Sequence, residues 1–177
     1  MLLFSLLTSD RYPMPSSRQV FLLIALACAA LMSTALYMEH VMKLVPCYLC
    51  IVQRVFVIAT GVVAVLAALH NPGKVGIRVW GLLTALAAAT GSGFSIRQLW
   101  LQSLPEDQVP ACGPPADFLM DRFSLTEWLP MLLQGDGNCA KVDWSLFGLS
   151  IAGWLLVCFV IFILLSLLQV IRPKRAI

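Results

Sequence analysis

Residues Ile51 to Leu69 read IVQRVFVIATGVVAVLAAL, and the only charged side chain in that run is Arg54. A helix that crosses a bilayer needs about 20 mostly apolar residues, and this run meets the requirement. Three others do so as well: Val20 to Met38, Val75 to Phe94 and Leu146 to Ile171. The whole chain of 177 residues is 60% hydrophobic and 12% charged, with a mean hydropathy of +0.88. That leaves too little polar surface to coat a soluble globule and too many long apolar runs for disorder. The sequence therefore predicts an all-α membrane protein, a bundle of four transmembrane helices forming one integral membrane domain over 1–177. Ser95 to Ser145, the only extended polar stretch, is too short and too interrupted by Pro, Gly and Asp to hold a core of its own.

Charge sets the orientation. Arg11 and Arg18 precede the first run, Lys74 and Arg78 flank the turn between the second and third, and Arg172, Lys174 and Arg175 follow the fourth. The positive-inside rule puts these segments, and so both termini, in the cytoplasm. The loops 39–50 and 95–145 then face outward, and the longer one carries Glu106, Asp107, Asp117, Asp121, Glu127, Asp136 and Asp143. No basic patch with stacking aromatics argues for nucleic acid. Arg18 and the apolar stretch through Cys28 mimic a secretory or lipoprotein signal, but Ala25 stands where a lipobox wants Leu and the apolar run continues past Cys28. Met14 is a second candidate start.

The six cysteines divide by location. Cys28 and Cys158 lie mid-span and read as small buried hydrophobes. Cys47, Cys50, Cys112 and Cys139 all fall on the outward side, where an oxidising compartment lets thiols pair. Four cysteines allow three connectivities, and proximity in sequence favours Cys47 with Cys50 and Cys112 with Cys139.

Pro46-Cys47-Tyr48-Leu49-Cys50 opens the second apolar run. The spacing admits a structural disulfide, half a zinc site completed by Cys112 and Cys139, or a redox dithiol. A redox role suits the position best, because unpaired N–H groups and the helix dipole at a helix N-terminus favour a thiolate. Pro46 suits the start of that helix, having no N–H to lose. Arg54 follows Cys50 by four residues, on the same face and about 6 Å along the axis. An Arg in mid-span costs roughly 2.5 to 3.5 kcal/mol, less near the interface. Its guanidinium is either an interfacial anchor for lipid headgroups or a holder for the carbonyl oxygen of a membrane-soluble electron acceptor.

The segment Glu39-His40-Val41-Met42-Lys43-Leu44-Val45-Pro46-Cys47-Tyr48-Leu49-Cys50-Ile51-Val52-Gln53-Arg54 resembles the first periplasmic loop and second helix of the disulfide bond formation protein B (DsbB) family. Gly137-Asn138-Cys139-Ala140, with Trp144 and Phe147-Gly148-Leu149, is similar to that family's approach to its fourth helix. The resemblance covers nearly the whole chain. It implies a protein-disulfide:quinone oxidoreductase of the bacterial inner membrane, with catalytic Cys47, Cys50, Cys112 and Cys139, a quinone (ubiquinone or menaquinone) held near Arg54, and no metal. It also implies the partners: a DsbA-like periplasmic protein of thioredoxin fold, the membrane quinone pool and the lipid bilayer. In such a relay Cys112 is the sulfur attacked by the partner, Cys139 passes electrons to the Cys47/Cys50 pair, and Cys50 faces the quinone. A partner poised near about −120 mV can be reoxidised only by something more oxidising than ordinary thiol couples.

Other readings remain open on sequence. A vitamin K epoxide reductase-like protein uses similar chemistry, but there the loop cysteines usually precede the dithiol. A non-enzymatic scaffold stapled by disulfides is the remaining alternative. The stretch from Asp117 to Leu133 is amphipathic and reads as a helix in the membrane interface, with Trp128 at headgroup depth, or as a loop over the bundle end. Gly91-Ser92-Gly93 and Ala85 to Ala89 suggest close helix packing. Arg97 and Gln98 are placed to border the quinone pocket, whereas Gln53, where some relatives carry a carboxylate, has no role assigned.

Overall fold

The computed structural model describes residues 15–114, 118 and 124–173. Met14, Arg11, Lys174 and Arg175, together with Asp117, Leu119, Met120, Asp121, Arg122 and Phe123 of the amphipathic stretch, lie outside them, as do the side chains of Leu125 and Trp128. Among the described residues four helices are long and apolar enough to cross a membrane. They are α1 (Ser17–His40), α2 (Tyr48–His70), α3 (Lys74–Gln102) and, after a shorter α4 (Leu125–Gln134), α5 (Ile151–Ile171).

Local chemistry sets the boundaries. Ser16 and Gln19 cap α1 reciprocally, each side chain bonding the other's backbone N–H. Asn71, in the left-handed conformation at φ 40°, ends α2, and Pro72-Gly73 turns the chain into α3. Glu127 accepts from the Ser124 backbone N–H at 3.1 Å to start α4.

Two boundaries differ from the hydropathy reading. The third helix does not stop at Phe94 but continues to Gln102, because its buried face carries on past the apolar run through Ser95, Gln98 and Leu101. The fourth does not begin at Leu146. Ser145–Leu146 pairs with Leu149–Ser150 in a two-strand hairpin, β1 and β2, whose turn residues Phe147 and Gly148 both have positive φ, 52° and 79°. This two-residue turn matches the twist of the strands. The Ser150 hydroxyl then caps α5 by accepting from Gly153 N at 3.4 Å.

In the bundle α1 packs on α2, α2 on α3 and α3 on α5. The core gathers Phe21, Ile24 and Cys28 with Val57, Ala64, Ala88, Phe159 and Phe162. Gly91 admits the Phe159 ring, where an added Cβ would lie 2.8 Å from Cε1. Gly93, by contrast, faces open space, so only one of the two glycines in that motif serves packing. Buried hydroxyls bond their own helices: Thr60 to Phe56 O at 2.7 Å and Thr84 to Trp80 O at 2.8 Å. Outside, large apolar side chains such as Leu26, Leu69, Leu86 and Leu164 stand exposed, as lipid contact requires. A second, smaller core of Tyr48, Leu49, Val52, Leu101, Leu132 and Cys139 sits at the end of the bundle that carries the long loop.

Candidate functional site

Cys47 is the N-cap of α2, and its sulfur accepts from Cys50 N at 3.4 Å. The cap folds Cys47 back over the first turn, so the two sulfurs stand 2.6 Å apart. Here the unpaired amides of the helix start face the dithiol. Both Cys47 and Cys50 are half-buried.

The extension of α3 brings Gln98 over this pair. Its Nε2 lies 3.4 Å from Cys47 Sγ and 3.4 Å from Cys50 Sγ. Gln53, also buried, donates from its Nε2 to Gln98 Oε1 at 2.9 Å and so orients the amide. Beneath them Phe56 and Phe94 stack with centroids 5.5 Å apart. Arg97, one residue before Gln98, points away and lies over the Trp100 ring at 4.6 Å.

Arg54 faces α1. It pairs with Glu39 and donates to Ala35 O at 3.3 Å. Arg54, Cys50, Gln53 and Gln98 share the wall of a cavity of ≈ 660 Å³, which runs between α1 (Leu31, Met32, Ala35, Met38) and α5 (Ile151, Ala152, Trp154, Leu155). Its polar end carries the dithiol and its sides are apolar.

Cys139 arrives from the other direction, on the short turn Gly137–Ala140, and is fully buried. It interacts with Cys47. Hydrogen bonding with Cys139, then with Cys50, and then burial push the Cys47 thiol far up. Hydrogen bonding with Cys47, working against burial, brings the Cys139 thiol below its ordinary range. Cys112 is exposed and lies alongside the same turn, its sulfur 3.1 Å from where a Cβ on Gly137 would sit.

The structure thus packs Cys47 and Cys139 on one small core with Cys50 against Cys47, sets Cys112 at the surface against the Gly137 turn, and puts Arg54 on the cavity wall. Sequence reasoning left Gln53 without a role and missed Asp136 and the Glu39 pairing. Gln98 was placed with Arg97 to border the pocket, and the recurrence of Ser95, Gln98 and Gln102 at helical spacing beyond the apolar run is the signal that sets it on the buried face.

A family model for disulfide bond formation protein DsbB matches residues 17–169. The chain belongs to the DsbB family. It is 49% identical over 159 residues to the disulfide bond formation protein B of Saccharophagus degradans, covering 90% of this chain and 96% of that one. The corresponding protein of Chromobacterium violaceum is 49% identical over 160 residues, covering 90% and 96%. Disulfide bond formation protein B 1 of Pseudomonas aeruginosa is 44% identical over 160 residues, covering 90% and 98%. With its four apolar helices, this DsbB-family chain is a multi-pass membrane protein with an oxidoreductase role in disulfide bond formation.

Proposed function

We propose that this protein reoxidises a DsbA-like dithiol protein of the bacterial periplasm and passes the electrons to membrane quinone, working as one domain of the inner membrane with both termini in the cytoplasm. The observation that carries this reading is the continuity of the sulfurs with the cavity: exposed Cys112 lies against the Gly137 turn that carries buried Cys139, Cys47 packs on the same small core as Cys139, and Cys50 lines the pocket between α1 and α5.

The residues present suit a quinone. The cavity between α1 and α5 is large enough for a ring and the start of an isoprenoid tail, and Arg54 and Gln98 offer donors at its polar end. Bound there, a quinone supplies the sink for two electrons and two protons. The chain's own residues do the rest. The partner's thiolate attacks Cys112 in a Cys112–Cys139 disulfide, and Cys139 leaves with the electron pair. The partner's second thiol resolves the mixed disulfide and frees Cys112. Cys139 then attacks Cys47 of the Cys47–Cys50 disulfide, and Cys50 departs as thiolate toward the cavity. Finally Cys112 attacks Cys139, which restores the loop disulfide and leaves Cys47 reduced. Gln98 holds both dithiol sulfurs in register for these exchanges. The exposed Leu129, Met131 and Leu133 of α4 support a helix resting on the membrane surface between the two loop cysteines.

The test mixes purified protein with quinone and a reduced Cys-x-x-Cys partner and follows quinone absorbance. Catalytic reduction is expected for the wild type, none for Cys50→Ser, and a weakened rate for Arg54→Ala. Undiminished turnover in Cys50→Ser overturns the mechanism.

A further inference from the structure

Asp136 has no part in the exchanges above, yet the residue is only 5% exposed. Burying a carboxylate is costly unless donors surround it, and here its two oxygens face different partners. Oδ2 accepts from Gly113 N at 2.8 Å and from Asn138 Nδ2 at 2.7 Å. Oδ1 accepts from Cys139 Sγ at 3.4 Å. Gly113 follows Cys112 in the chain, and Asn138 precedes Cys139. One short side chain therefore grips the segments of both loop cysteines.

Weaker ties run alongside. Gly137 N donates to Ala111 O at 3.3 Å, and Asn138 Nδ2 to Gly113 O at 3.4 Å. The Tyr48 hydroxyl, between the two dithiol cysteines, donates to Pro114 O. All of these hold the backbone around Cys112, but only Asp136 also touches a sulfur. Cys139 stands between two possible partners, Cys47 and Cys112, and a disulfide forms only when the Cβ atoms approach to about 3.5–4.5 Å. Whatever fixes the Cys112 segment decides how often Cys112 is within that reach.

We propose that Asp136 is a positioning residue that latches the Cys112 segment onto the Cys139 turn and so commits Cys139 to pair with Cys112 rather than to remain bonded to Cys47. The proposal rests on the two-pair relay. The step it governs is an exchange without net oxidation. Exposed Cys112 gives its proton to water and its thiolate attacks Cys139 of a Cys47–Cys139 disulfide. The Cys112–Cys139 bond forms, the Cys47–Cys139 bond breaks, and Cys47 leaves with the electron pair and takes up a proton.

The experiment compares full-length wild type, Asp136→Ala and Asp136→Asn in detergent. Quinone reduction is driven either by the reduced protein partner, which enters at Cys112, or by dithiothreitol, which is small enough to reduce the Cys47–Cys50 pair directly. Acid-quenched samples are alkylated and peptide-mapped for disulfide connectivity. In Asp136→Ala the ratio of partner-driven to dithiothreitol-driven turnover is expected to fall about tenfold, as for loss of one hydrogen bond to a charged group. The Cys47–Cys139 peptide is expected to replace Cys112–Cys139. Asp136→Asn, which keeps an acceptor for Gly113 N–H, is expected to restore most of both. An unchanged ratio and connectivity in Asp136→Ala overturns the latch, and so does an equal loss with both donors in either variant. If the wild type reduces no quinone with either donor, the functional reading fails, and the peptide map still decides the latch.

Discussion

Gln53 donates to Gln98 Oε1 at 2.9 Å, and this bond fixes the Gln98 amide over the dithiol. Held there, Nε2 lies within reach of both Cys47 and Cys50, a donor for the sulfurs that must become thiolates, while Oε1 accepts from the Cys50 thiol at 3.7 Å. A hydrogen bond to a charged group is worth about 1.5–3 kcal/mol.

Replacing Gln98 with Leu is accordingly expected to slow quinone reduction about tenfold to a hundredfold. Gln53→Leu should cost less, because Nε2 of Gln98 remains and loses only its orientation. Stopped-flow turnover of both variants and the double variant checks this, and a double-variant loss equal to that of Gln98→Leu alone is the signature of one network.

Arg54 is already engaged by Glu39 and Ala35 O, so its guanidinium bridges α1 and α2 beside the cavity. Arg54→Ala is expected to lower kcat/KM for quinone by about tenfold to a hundredfold, mostly through KM. Arg54→Lys should recover little, since an ammonium lacks the planar fork that reaches two acceptors. Steady-state kinetics with quinone as the varied substrate separates the two parameters.

The Cys139 thiol is held below its ordinary range through its hydrogen bond with Cys47. In protein with every cysteine except Cys47 and Cys139 replaced by serine, the first thiolate is expected to appear, by ultraviolet absorbance, at a pH below the ordinary thiol value of about 8.5. Because a lowered pKa extends the thiolate form toward lower pH, removing Cys47 as well should move that transition up. A midpoint unmoved by Cys47→Ser would show that Cys139 draws nothing from its neighbour.

Packing in the membrane is equally testable. Gly91→Ala drives a methyl into the Phe159 ring and is expected to destabilise the bundle by about 1–3 kcal/mol. Gly93→Ala meets open space and should instead stabilise the helix by about 0.5–1 kcal/mol. Thermal unfolding in detergent distinguishes them.

Apolar runs and cysteine spacing made the bundle and the sulfurs readable from the chain, because hydropathy over twenty residues and a Cys-x-x-Cys beside an Arg are local signals. What escaped was non-local or polar. Gln98 is 45 residues from Gln53 and 48 from Cys50, and Asp136 is 23 from Gly113. No window on the sequence joins such pairs. Hydropathy also stopped α3 at Phe94, where polar residues begin, and carried α5 back through Leu146 and Leu149, whose apolar character hid a glycine turn.

The 29 residues of α3 span about 43 Å at 1.5 Å each, against a hydrocarbon core of about 30 Å. Gln98 stands near its far end, so in the proposed topology the dithiol beneath it falls at the boundary with water and not at the bilayer centre. In the proposed reaction the protons shed by the thiols and those taken up by the acceptor are exchanged on that one side, together with the electrons. No charge traverses the membrane, where each would be worth about 2.3 kcal/mol per 100 mV. Disulfide formation by this protein should then run at the same rate in energised and de-energised membranes, drawing on the redox pool and not on the ion gradient.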